Sequence, residues 1–319
     1  MIYQFYNPIE IKILNSLKNV KTIIYIHCCF LTWMYLHKYD FIKILYKSFK
    51  NSNYIISLIP FENDYLFKIW GINSILLNNF ITYDYQNIIP SDLSSKTILM
   101  IGRGEDKRKR FDLGIKTMKY IVDEIHDAEM KIISDSSQLG ELINLVKKLK
   151  LENNIKFVGY TSKPEIYFKN ASLHILPSST ESFGLSLCET KIYGIPNILT
   201  GIDYVLPAKG GVINIYNDNP RTIAKEAIKI LKNDKYRKEL GNKARQSMRK
   251  FRNELTIKSW VEFLLNVNKG EKFYQNLIRK RKLISKQKAI YTIKRQITLL
   301  KKREPIYKNI SFVNILNLV

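Results

Sequence analysis

Short apolar runs alternate along most of this chain with longer stretches whose apolar residues recur every three or four positions. From position 97 onward the strand-like runs fall at 97–101, 130–134, 155–158, 172–177, 196–200 and 211–215. The spacing between them predicts helices over about 110–124, 137–150, 163–169, 183–193 and 220–232. Strands and helices in strict alternation predict an α/β fold with a parallel sheet. Upstream, 23–27, 53–59 and 75–79 read as three more strands, and the irregular stretch 81–95 reads as an interdomain linker. The helix over 183–193 has a clean stop at Gly194-Ile195-Pro196, where glycine suits the cap and proline blocks continuation.

Composition narrows the class. A chain of 319 residues suggests about two domains, and 45% hydrophobic residues are enough for a packed core. The longest apolar-rich stretch, 22–36, contains His27 and is shorter than the ~20 residues a membrane span needs. No basic segment precedes an apolar core at the amino terminus, so no signal peptide is read there. Three cysteines, with Cys28 and Cys29 adjacent, form no disulfide framework and suit reduced thiols in a cytoplasmic protein. The sequons at Asn170 and Asn309 are then chance matches.

The densest chemical signal is Glu181-Ser182-Phe183-Gly184-Leu185-Ser186-Leu187-Cys188-Glu189. It sets two carboxylates eight positions apart, at the mouth and on the second turn of the helix over 183–193. In an open α/β sheet, ligands bind beyond the carboxyl ends of the strands, where N–H groups at the next helix start attract anions. The backbone of Phe183, Gly184 and Leu185 therefore faces an anionic or hydroxyl-rich ligand, and Gly184 lets it come close. Carboxylates suit a polyol, because each accepts bonds from vicinal hydroxyls. A solitary glutamate at a helix start needs no ligand to explain it, but the two together do.

This segment resembles the Glu-x7-Glu signature of the retaining, nucleotide-sugar-dependent glycosyltransferases of family 4. Other pieces match in order. The run 98–103 ending in Gly102-Arg103 resembles the family's strand-Gly-Arg opening of the donor domain, and Lys109 falls at its phosphate-binding lysine. Gly159-Tyr160, closing 154–160, resembles the strand and loop that meet the nucleotide base. Gly194-Ile195-Pro196, Gly210-Gly211 and Asn219-Pro220 resemble later landmarks, and the match runs from about Ser94 to Leu265.

The resemblance implies a GT-B fold of two Rossmann-like domains with parallel sheets. The implied division is 1–80 acceptor side, 81–95 linker, 96–268 donor binding and 269–319 a basic tail. The first hundred residues contain one glycine, Gly71, whereas the family's acceptor domain opens with a Gly-rich loop. The expectation is an incomplete acceptor domain, through a truncated reading frame or a reduced fold. The implied reaction moves a sugar from a UDP- or GDP-linked donor to a glycan or lipid-linked acceptor with retention, without metal or other cofactor. Arg103 and Lys109 would hold the donor phosphates, Glu189 the ribose and Glu181 the sugar and leaving group. The run Lys107-Arg108-Lys109-Arg110 reads either as a solvated basic face or as a phosphate clamp. The upstream Gly102-Arg103 favours the clamp for Lys109, leaving Arg108 and Arg110 as solvated charges. His27 ends a strand where family members often carry a catalytic-side histidine; a satisfied buried histidine is the equal alternative. His174, mid-strand in an apolar pattern, reads as structural. At 133–136, Ser134 and Asp135 replace a family Gly-x-Gly turn, which their side chains can also support. A non-catalytic relative that only binds a sugar nucleotide or a partner is the second functional class.

Charge changes the picture at the carboxyl terminus. The net charge is +24, and 269–319 carry 14 Lys or Arg against Glu271 and Glu304. Leu283, Ile290, Ile293, Ile297 and Leu300 recur among them at helical spacing. A basic amphipathic helix suits an anionic membrane surface or a partner, and equally a helix packed on the domain. Nucleic acid is disfavoured, because no recognised nucleic-acid motif accompanies the charge.

Overall fold

A computed structural model describes residues 2–3, 16, 20–27, 29, 39–135, 139–267, 295 and 298. Two parallel sheets organise them. The first contains β1 (Ile2–Tyr3), β2 (Ile23–Ile26), β3 (Tyr54–Ser57) and β4 (Ile75–Leu76), paired in that order. Helix α1 (Tyr39–Asn51) connects β2 to β3, and α2 (Pro60–Trp70) connects β3 to β4. β2 and β3 are buried at every position and apolar except for Ser57, rather than alternating with polar residues.

The second sheet contains β5 (Thr97–Ile101), β6 (Glu129–Ile133), β7 (Ile155–Gly159), β8 (Leu173–Leu176), β9 (Asn197–Thr200) and β10 (Val212–Ile215). The connecting helices are α3 (Phe111–Val122), α4 (Gly140–Lys148), α5 (Glu165–Phe168), α6 (Leu185–Ile192) and α7 (Pro220–Lys232). Helices α8 (Asp234–Ser247) and α9 (Asn253–Asn266) follow. The strand order is β10-β9-β8-β5-β6-β7, all parallel. That is the doubly wound Rossmann order, in which the winding direction reverses between β5 and β8. Side chains alternate accordingly. Ile98, Met100, Ile175 and Ile198 pack with α3 and α7 on one face, whereas Leu176 and Leu199 pack with Leu187 of α6 on the other.

All six expected strands and five expected helices of this half are present, with ends displaced by a few residues. Helices α1, α2, α8 and α9 were not expected. α8 is dense in charge, and its buried stripe is only Arg237, Leu240, Gly241 and Ala244, so no apolar periodicity announces it. Gly241 is there for proximity: a Cβ would lie 2.3 Å from the carbonyl oxygen of Gly194, just beyond α6.

The stretch 81–95 contains no helix or strand, yet it is fastened to the second sheet's layer by α8. Arg237 Nε donates to Leu93 O at 2.8 Å. Arg245 Nη2 donates to Tyr85 O at 3.1 Å and Ile88 O at 2.9 Å, and its Nη1 to Ile192 O at 2.5 Å. The chain then crosses back. α9 packs Trp260 and Phe263 against the first sheet, through Tyr25 and Tyr54 at ring separations of 5.1 and 5.5 Å. α9 thus packs on the first sheet, although the chain reaches it after the second. Asn253 joins the two crossings, donating to Ile81 O at 2.8 Å and accepting from Ile81 N at 3.1 Å. Of the basic tail, only Arg295 and Thr298 fall among the described residues. Among the described residues no helix is long and apolar enough to cross a membrane.

The Gly241 contact is directly testable. Gly241→Ala forces backbone against backbone, and overpacking of this kind costs about 1–3 kcal/mol. The urea midpoint of the variant is expected to fall with an unchanged m-value; an unshifted midpoint would show that α6 and α8 can part freely.

Candidate functional site

The carboxyl ends of β5 and β8 are neighbours, and their following helices leave toward opposite faces of the sheet. The two loops between strand and helix therefore form a crevice lined by unpaired backbone and the side chains of 102–110 and 177–184.

The first loop is tightly folded. Gly102 N donates to Ile133 O at 3.1 Å and Gly104 N to Asp135 Oδ1 at 2.7 Å, so Asp135 does support the turn where glycines were the alternative. Asp106 caps a single 3-10 turn, Lys107–Lys109, by accepting from Arg108 N. Its carboxylate also takes Arg108 Nε at 2.8 Å and Nη2 at 2.9 Å. Burial opposes ionisation of Asp106, but these bonds outweigh it and hold the carboxyl below its usual range. Lys109 then lies back over the end of β5. A Cβ on Gly102 would sit 3.0 to 3.3 Å from Lys109 Cγ, Cδ and Cε, so the missing side chain is what gives the lysine its path.

Lys109 Nζ meets Glu181 Oε1 at 2.6 Å, with the two side chains only 20% and 10% exposed. Ser178 Oγ donates to the same oxygen at 2.8 Å. Glu181 N donates to the Tyr204 hydroxyl at 3.0 Å, and Ser179 N donates to Arg108 O at 2.8 Å. Lys109 and Glu181, 72 positions apart in sequence, are thus brought into one charge-assisted pair at the switch point.

Helix α6 starts behind Glu181. Gly184 has φ +78 and supplies no side-chain cap, a backbone state costly for other residues. Phe183 is buried between the sheets, 5.8 Å from the Phe251 ring, so only its backbone can meet a ligand, while Leu185 is exposed. Glu189, one turn further in, takes a different environment from Glu181. Its Oε1 accepts from Thr82 Oγ1 at 3.2 Å, and among the described residues no cation pairs with it. Burial pushes its carboxyl up to about 7, only partly offset by the Thr82 bond. Gly159 ends β7, and Tyr160 beyond it is exposed.

The remaining candidates are placed less centrally. Arg103 has its side chain 66% exposed, with a guanidinium nitrogen 4.0 Å from Asp106. His27 follows the carboxyl end of β2, half-buried, its ring 3.8 Å from that of Tyr25, and burial lowers its pKa. Arg110 corrects an expectation: it is not a solvated charge. Its backbone is left-handed at φ +51, turning the chain into α3, and the side chain pairs with Asp218 at 2.9 Å while 14% exposed. Arg108 likewise is engaged by Asp106. His174 is wholly buried, with Nδ1 2.6 Å from Asn197 Oδ1, and burial lowers its pKa to about 4, so it is neutral.

Sequence reasoning missed Asp106, Ser178, Thr82, Tyr204 and Lys191. Lys191 is fully buried and donates to Pro207 O at 2.5 Å and Lys209 O at 2.6 Å. A lysine on the apolar side of α6 was the available signal. Thr82 and Tyr204 gave none, because their roles exist only across 107 and 23 positions of chain.

Comparisons with known proteins bear on this arrangement. Residues 84–247 match the family model described as glycosyl transferases group 1. An uncharacterized glycosyltransferase of Haemophilus influenzae is 25% identical over 196 residues, 59% of this chain and 55% of that protein. N-acetyl-alpha-D-glucosaminyl L-malate synthase of Bacillus anthracis is 29% identical over 52% of this chain and 44% of its own length. Poly(ribitol-phosphate) alpha-N-acetylglucosaminyltransferase of Staphylococcus aureus is 26% identical, over 48% of this chain and 32% of its own length. The chain thus spans about half or less of these relatives. Among solved structures, a mutant of S. aureus TarM in complex with Fondaparinux, alpha-GlcNAc-glycerol and UDP superposes with TM-score 0.63 at 22% identity, over 77% of this chain and 51% of that one. Anabaena HepE in complex with UDP and glucose gives 0.64 at 14% identity, over 77% and 72%. These likenesses show the GT-B fold.

The environment of Glu189 predicts a pH signature. Its folded-state pKa of about 7 lies above the ordinary glutamate value of 4.5, so between these values the folded chain holds a proton that the unfolded chain has released. Stability therefore falls as pH rises through that window, and the cost is complete above about pH 7. Glu189→Gln removes that cost, by about 1–3 kcal/mol after allowance for partial solvent access. Denaturant titrations should find the variant stabilised relative to the parent at pH 8 and not at pH 5. Equal differences at both values would show an ordinary solvated carboxyl.

Proposed function

The chain belongs to the glycosyl transferases group 1, and from that premise we propose that it transfers a sugar from a nucleoside diphosphate donor to a glycan or lipid-linked acceptor with retention of configuration. One observation carries the reading. The Lys109–Glu181 pair sits at the switch point of a Rossmann-ordered sheet, with the uncapped start of α6 immediately behind it.

The chemistry follows from what leaves. Breaking the bond between the anomeric carbon and the phosphate oxygen puts negative charge on the diphosphate. Lys109 supplies a compact ammonium there and Arg103 a planar fork. The N–H groups of Phe183, Gly184 and Leu185 add the positive end of α6. Glu181, when a donor engages Lys109, is free to accept from the sugar hydroxyls. Glu189 accepts from the ribose diol, beside Gly159 and Tyr160 for the base. The acceptor hydroxyl attacks the face from which the diphosphate departs and gives its proton to a phosphate oxygen. His27, at the end of β2, is the acceptor-side candidate. The likeness to UDP-bound neighbours supports a uridine donor as the first to try, with a guanosine donor second.

Lys109→Ala and Arg103→Ala should weaken binding of UDP or GDP far more than of the bare nucleoside, whereas the exposed Lys107→Ala should change either by only ~0–1 kcal/mol. Calorimetric titration checks this, and equal losses in all three variants would mean general electrostatics rather than a phosphate clamp. In the same assay Glu189→Gln should lose about 1.5–3 kcal/mol, as a charge-assisted pair of bonds to the ribose becomes neutral. Undiminished UDP and GDP affinity in that variant would remove Glu189 from the ribose.

A further inference from the structure

We propose that Arg295, in the basic segment beyond α9, is a positioning residue that fastens the loop between β9 and β10 and so holds Glu181 in place. Three contacts define its seat. Arg295 Nη2 donates to Asp203 Oδ1, and its guanidinium lies over the Tyr216 ring, 5.3 Å from the centroid. The Tyr216 hydroxyl donates to the other oxygen, Asp203 Oδ2, at 2.9 Å. Asp203 and Arg295 side chains are 26% and 29% exposed, covered enough to limit screening of the pair. An arginine suits this seat because one planar group both stacks on the ring and donates to the carboxylate.

The loop it grips is the one that supports the site. Asp203 adjoins Tyr204, whose hydroxyl accepts from Glu181 N at 3.0 Å and whose ring meets Phe61 at 5.1 Å. Lys191 already holds the far end of the loop through Pro207 O and Lys209 O. At the near end, Arg295 supplies a cation to Asp203. The route also matters. Helix α9 packs on the first sheet, whereas Asp203 and Tyr216 lie beyond β9 and β10 of the second. Arg295 thus contacts the second sheet's side, whereas the last described helix before it, α9, packs on the first. Arg295 itself is the strap on this loop.

The role rests on Glu181 belonging to a donor site, so the test has two arms, both on the full chain. The first is independent of any nucleotide: a lysine-specific protease reports access to Lys294 and Lys301, which flank the seat. Arg295→Gln and Asp203→Asn should each speed cleavage there by about tenfold, the effect of losing one charge-assisted contact on local opening. The second arm is UDP and GDP titration. The same variants should raise the dissociation constant about threefold to tenfold, with thermal unfolding of the body little changed. The exchange Asp203→Arg with Arg295→Asp should recover part of both effects, and Arg295→Lys should recover less than the parent. Unchanged cleavage in Arg295→Gln overturns the seat. Faster cleavage with unchanged nucleotide affinity overturns the positioning role and leaves a passive strap. A parent chain that binds neither nucleotide overturns the donor-site reading and the positioning role with it, while the protease arm still reports the seat.

Discussion

Everything at the site depends on the reversal of winding between β5 and β8. Two adjacent parallel strands send their chains to opposite faces, so neither following loop can complete its hydrogen bonds within the sheet. The loops are joined instead by side chains and by one backbone bond, Ser179 N to Arg108 O. Lys109 and Glu181 close the gap with a short ion pair in a poorly solvated crevice. Such a pair does not have to stabilise the fold; desolvation cancels much of its Coulombic gain. It does keep a cation and a carboxylate in register.

The surplus of basic residues shapes the rest of the architecture. With 52 Lys and Arg against 28 Asp and Glu, carboxylates are too few to pair them all. Several buried cations bond backbone carbonyls instead. Arg237 and Arg245 of α8 gather the carbonyls of 81–95 and of helix ends, and Lys191 gathers those of 207 and 209. Each such bond is worth about 1.5–3 kcal/mol in place of a solvated charge. Burial still lowers the Lys191 pKa to about 7, because carbonyl dipoles do not replace water fully. The connection 81–95, irregular in sequence and structure, is thereby tied to the second sheet's layer.

The two glutamates show how one motif yields two chemistries. Glu181 has an ammonium and a hydroxyl donor, whereas Glu189 has a single hydroxyl and apolar surroundings. The difference comes from what each faces: loop 102–110 for Glu181, ahead of α6, and Thr82 for Glu189, within it. Arg110 makes the same point in reverse. Its sequence context is a run of four basic residues, which reads as solvent-facing, yet one left-handed backbone angle sends it to Asp218.

The parallel α/β plan was legible because burial on both faces of a parallel strand writes continuous apolar runs, and α6 was bounded by Gly184 and by Gly194-Ile195-Pro196. That Lys109 and Glu181 follow strand ends on one side of the sheet, and that Glu189 lies in the helix after Glu181, was legible from strand and helix spacing. Helix α8 was hidden, since an arginine bonded to carbonyls and a glycine in contact with Gly194 leave no apolar stripe. Thr82, Tyr204 and the Asp203–Tyr216–Arg295 seat were also hidden. For Arg295 the partner carboxylate lies 92 positions away and for Thr82 the partner lies 107 away, and their residue types are common on any surface. Sequence by itself determined which segments are strands and which loops carry charge, because those follow from local period and spacing. Which charge meets which, and in how little water, was decided only by tertiary structure, because Coulomb and desolvation energies depend on distance through space.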